Sequence, residues 1–63
     1  MAANVDANPV IDQLEALLSA GSEPIRCAEA MEILWRWQWD GDLDEPSRQR
    51  AGALVRRYQR YLG

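Results

Sequence analysis

Three prolines constrain this chain more tightly than any other feature. Pro9, Pro24 and Pro46 are the full complement. Proline lacks the backbone N–H that a helix interior requires. In the first turn that N–H has no intrahelical partner, and proline's fixed φ is already helical. Each proline opens a stretch whose apolar residues recur at helical spacing, and Gly21 and Gly41 fall where the first two stretches run out. The punctuation predicts three helices separated by two breaks of two to four residues.

The first helix is expected over residues 9–19, with Asn8 as its cap. At ~100° per residue, Val10, Ile11, Leu14, Leu17 and Leu18 share one face, and Asp12, Glu15 and Ser19 lie opposite. The second is expected over 23–40, capped by Ser22 and ended by Gly41. Its apolar arc is wide: Cys27, Ala28, Ala30, Met31, Leu34, Trp35, Trp37 and Trp39, with Glu29, Glu32, Arg36 and Asp40 as the polar strip. The third is expected over 45–62, capped by Asp44. Ala51, Leu54, Val55, Tyr58, Tyr61 and Leu62 form its stripe, and Arg50, Arg56, Arg57 and Arg60 the other side. Short connections favour antiparallel neighbours. The expected fold is all-α, a small up-down-up three-helix bundle with the first helix shortest. It occupies residues 9–63, after a flexible tail over 1–8.

One segment carries a competing signal. Trp35, Trp37 and Trp39 alternate with Arg36, Gln38 and Asp40, which is strand periodicity, and tryptophan favours strands. A strand needs a partner, and no other segment alternates, so only a second copy would supply one. Helix is therefore the preferred reading.

Size raises the question of what completes the fold. A chain of 63 residues makes one domain and buries only about 60% of its unfolded surface. Cys27 is the single cysteine and there is no histidine, so neither an internal disulfide nor a Cys/His zinc shell is available. Self-association or a partner protein is the support that remains. The N-terminal residues lack a basic, then apolar, leader pattern, and no apolar run approaches the ~20 residues of a membrane span. With a lone cysteine, a cytoplasmic location is expected.

Several chemistries find no footing. Cys27 as a nucleophile would need a base, and it lies on an apolar face where a core role suits it. Asp40-Gly41-Asp42-Leu43-Asp44 begins like a calcium loop. The sixth and twelfth loop positions hold Glu45 and Ala51 in place of glycine and glutamate. Glu29 with Glu32, and Asp12 with Glu15, read as solvated helix faces. The expectation is a non-enzymatic protein with no cofactor and no metal.

Two surfaces stand out. Ala30, Ile33 and Trp37 form a second stripe on helix 2, displaced toward its polar side. Either a partner covers it or the first helix and the tail do. The other surface is basic. Residues 1–45 hold all ten acids and two arginines, a net charge of −8, and residues 46–63 hold five arginines and no acid. Arg50, Arg57 and Arg60 align on a helical projection with Arg56 at one edge, while Tyr58 and Tyr61 turn toward the core. This face suits solvent, an acidic protein or phosphates. The leading expectation is a protein-interaction module: a small adaptor, inhibitor or accessory subunit. It would bind another protein or a second copy of itself through Ile33, Trp37 and Ala30. The alternative is a nucleic-acid-binding regulator using the arginine face, which the acidic remainder of the chain opposes.

Overall fold

Prolines mark the helix starts. In a computed structural model, which describes residues 4–21 and 23–62, α1 (Asn8–Ser19), α2 (Pro24–Trp37) and α3 (Glu45–Arg57) each carry a proline in the first turn. A 3₁₀ turn, Gln59–Leu62, follows. The expected all-α three-helix fold is present, and α1, with 12 residues, is the shortest helix. Each helix packs on the other two. No helix among the described residues is long and apolar enough to cross a membrane.

The core takes Ile11 and Leu18 from α1, Cys27, Ala30, Met31 and Leu34 from α2, and Ala51, Leu54 and Val55 from α3. Tyr58 closes one end, and Ala7 and Leu43 enter from outside the helices. Ile11, Leu18, Met31 and Leu34 are essentially inaccessible. Burial on that scale contributes about 1.5–3 kcal/mol per side chain. Cys27 sits among them, as a small apolar residue should.

Two of the helix ends follow the expected chemistry. Gly21 adopts φ 69° just past α1, a backbone region that glycine enters without strain. The Asp44 carboxylate accepts the Ser47 N–H at 2.9 Å and caps α3. The start of α1 differs. Asn8 is inside the helix and Ala7 holds the cap position. Asp6 Oδ1 accepts from both the backbone N–H and the side-chain amide of Asn8, each at 2.9 Å. A carboxylate two residues upstream reaches that N–H directly, and Asn8 is thereby a donor where a cap would accept. Ser22, expected to cap α2, lies outside the described residues. Glu23 takes the cap position with no side-chain hydrogen bond.

Two helices end earlier than expected. α2 stops at Trp37, three residues short. The Trp39 N–H then bonds Arg36 O at 3.1 Å and the Asp40 N–H bonds Trp37 O at 3.2 Å, the tighter three-residue spacing of a chain leaving its helix. The turn brings Leu43 into the core, which a continued helix would not do. The connection is therefore 38–44, longer than the expected break. α3 stops at Arg57 because Tyr58, at φ −113° and ψ 24°, leaves helical geometry. The 3₁₀ turn brings Tyr61 back over Tyr58, stacked with ring centroids 6.4 Å apart.

The chain ahead of α1 is bonded to the α2–α3 connection. Val5 forms a parallel bridge with Leu43: its N–H reaches Asp42 O, and its carbonyl accepts the Asp44 N–H, both at 2.8 Å. The Ala7 N–H donates to Ser47 Oγ at 3.0 Å, and that serine is fully buried. Val5–Ala7 lie within the segment expected to be a flexible tail. Residues 1–3 lie outside the described residues.

Candidate functional site

Helical phase decides which indoles the core accepts. Leu34 is the centre of the buried arc of α2, flanked by Cys27, Ala30 and Met31. Trp35 and Ile33 fall about 100° to either side of it. Trp35, part of the apolar arc expected on this helix, is accordingly on the margin and 48% exposed. The opposite margin faces α1, where Leu14 and Leu17 line a shallow groove with Arg26, Glu29, Ala30 and Ile33. Ala30 is buried there and Ile33 is half-buried. Trp37 is half-buried and packs against the core. The expected stripe of Ala30, Ile33 and Trp37 is therefore divided: Ala30 and Ile33 line the groove beside α1, and Trp37 packs against the core.

The indoles left to solvent are Trp35 and Trp39. Trp39 is 72% exposed, because the turn after Trp37 carries it off the helical phase it would otherwise share with Trp35. Each lines its own groove. Trp35 stands with Glu32, Arg36 and Leu62, the leucine brought alongside by the 3₁₀ turn. Trp39 stands with Gln38 from the end of α2 and with Pro46, Gln49, Gly52, Ala53 and three arginines of α3. Gly52 is the floor of this second groove. A Cβ there would lie 3.1 Å from Gln38 Oε1 and 3.5 Å from Arg56 Nη1. The missing side chain leaves the amide and the guanidinium flanking bare backbone.

The arginines do not share one face. Arg50 turns to α1, where its Nη2 lies 2.6 Å from Asp12 Oδ1 and 2.7 Å from Glu15 Oε1, and its Nη1 donates to Asn8 Oδ1 at 3.0 Å. Hydrogen bonds to Glu15 and then Asp12 raise its pKa above the ordinary arginine value. Asn8, Asp12 and Glu15 repeat at i, i+4 and i+7 and so present one edge to it. Arg57 lies over the Tyr58 ring at 5.5 Å, and Arg60 lies over the Tyr61 ring at 5.0 Å. Arg60 also donates to the Tyr61 hydroxyl at 3.4 Å, which raises its pKa. Of the four, Arg50 and Arg56 line the Trp39 groove, and Arg50 is held there by its α1 partners. The expected alignment fails because Arg50 is drawn to α1 and Arg60 lies beyond the end of α3.

The acidic turn is occupied locally. Asp40 Oδ1 accepts the Asp42 N–H at 2.9 Å, while Asp44 caps α3. Hydrogen bonds from the Ser47 side chain and then its backbone hold the Asp44 carboxyl below its ordinary 3.8. Trp39 is the residue of interest that periodicity missed. The following Asp40-Gly41-Asp42 is turn chemistry and would have placed Trp39 at a helix end. Compared with protein-family models, curated proteins and solved structures, the chain matches none.

Proposed function

We propose that this protein is a non-enzymatic interaction module whose contact surface is the aromatic rim at the C-terminal end of α2. The observation that carries this reading is the exposure of Trp35 at 48% and Trp39 at 72% in so small a chain. Indoles left in water at the margin of a finished core offer large, rigid apolar area, and tryptophan is enriched among the residues that dominate binding energy. The contact centre thus moves from Ala30, Ile33 and Trp37 to the opposite margin of α2, with Leu62, 42% exposed, beside Trp35. Ile25 and Val10 are also exposed, but Ile25 is at the opposite end of α2 and no aromatic residue stands beside it in sequence. Another protein and a second copy are both suitable partners. A reducing, cytoplasmic setting accords with the single buried cysteine.

In-cell photo-crosslinking tests the reading. A benzophenone side chain in place of Trp35 or Trp39 is expected to capture a discrete partner, and one in place of the α1 surface residue Gln13 is not. A product of twice the chain mass identifies a second copy. Equal yields at all three positions, or none at any, would contradict the reading.

A further inference from the structure

We infer that the groove between the end of α2 and the middle of α3 docks an acidic segment of a partner protein. The segment's carboxylates meet Arg56 and Arg48, and one of its apolar side chains lies on Trp39. The inference rests on the interaction-module reading and adds the chemistry of the partner.

Charge decides the occupant. Five arginines and no acid lie in residues 46–63, but they differ in commitment. Arg50, on the groove's edge, is already neutralised by Asp12 and Glu15. Glu45, the acid on the rim, accepts from the Gln49 amide at 2.9 Å. Arg48 gives one donor to the Leu43 carbonyl and lies near Asp44, keeping its other donors. The Arg56 guanidinium has no hydrogen bond or ion pair among the described residues, and it stands at the groove floor 3.5 Å from the place a Gly52 Cβ would fill. The groove thus combines a planar cation suited to bidentate carboxylate binding, an amide from Gln38 and an exposed indole, over a floor with no side chain.

A carboxylate segment fits this set better than a nucleic acid does. Polyanion binding grows with the number of phosphates neutralised, and the groove offers only Arg56 and part of Arg48. The remaining surface is acidic, with residues 1–45 at net −8. A short acidic segment needs two local contacts and one apolar anchor. Arginine and tryptophan side by side are the usual composition of an energetic centre.

A peptide-display library panned on the full chain supplies the probe. Enriched peptides are expected to be rich in aspartate and glutamate around one large apolar residue. Their labelled synthetic forms should weaken at least roughly tenfold with Arg56→Glu and with Trp39→Ala, and not with Trp35→Ala. Both groove positions are exposed, and circular dichroism verifies that the variants keep their helices. A charge-reversed peptide should bind Arg56→Glu better than it binds the unaltered chain. Neutral or basic enriched peptides, or binding indifferent to Arg56→Glu, would overturn the inference. So would tighter binding of polyuridylate, or self-association that Arg56→Glu abolishes. Binding lost only with Trp35→Ala overturns this groove yet leaves the module reading intact. Absence of any peptide together with absence of any crosslinked partner overturns both.

Discussion

Replacing Arg50 by alanine cuts the link between α3 and α1. The Arg50 side chain is 29% exposed, against 65% for Asp12 and 36% for Glu15, so both ion pairs are partly solvated. Pairs of that kind are worth about 0.2–1 kcal/mol each. The hydrogen bond to Asn8 adds about 0.5–1.5 kcal/mol. The combined loss is roughly 1–2 kcal/mol after the overlap of three acceptors on one guanidinium. In a domain of this size each kcal/mol moves Tm by about 4–8 °C, so the expected fall is roughly 5–15 °C. Thermal melts followed by far-ultraviolet circular dichroism measure it. Asp12→Asn with Glu15→Gln should produce most of the same fall, and adding Arg50→Ala to that pair should cost little more. High salt should narrow the difference between the unaltered chain and Arg50→Ala. A melt indistinguishable from the unaltered chain, or losses that simply add across the variants, would refute the assignment of Arg50 as an interhelical clamp.

Other outcomes follow from the caps and the indoles. The Asp44 carboxyl is held below 3.8, so its contribution is complete at neutral pH and is lost as pH falls through its lowered pKa. In melts, Asp44→Ala should lower Tm at neutral pH while Asp44→Asn largely preserves it, and the acid sensitivity should shrink in both. Ser47→Ala leaves the Ala7 N–H without its buried acceptor and should cost about 1–3 kcal/mol by denaturant unfolding. Faster amide exchange at Ala7 would accompany it. Trp37→Ala opens space beside the core and should cost roughly 2 kcal/mol, while Trp39→Ala should stay within about 0.5 kcal/mol. Equal losses for the two would mean the indoles are misassigned.

Legibility in the sequence followed the range of the physics involved. Proline placement, the Asp44 cap and the Gly21 turn are local, and each stands where sequence analysis puts it. The ends of α2 and α3 were less legible, because tertiary packing draws Leu43 and Tyr61 onto the core against a pattern that would continue both helices. The bridge from Val5 to Leu43 spans a long stretch of chain, and nothing local to Val5 announces it. The clamp was partly visible: the i, i+4, i+7 spacing of Asn8, Asp12 and Glu15 marks one edge of α1, but its cation comes from another helix. For the candidate surface, the excess apolar arc on α2 was legible. Which margin stays exposed was not, because that depends on where α1 lies.

The most direct test of the central claim reads the three indole N–H signals by heteronuclear NMR while a selected acidic peptide is titrated onto the labelled chain. Trp39 is expected to shift progressively to saturation, with any smaller change at Trp35, and Trp37 to hold its position. A shift at Trp37 larger than that at Trp39, or three signals unmoved by a peptide that binds, would contradict the claim.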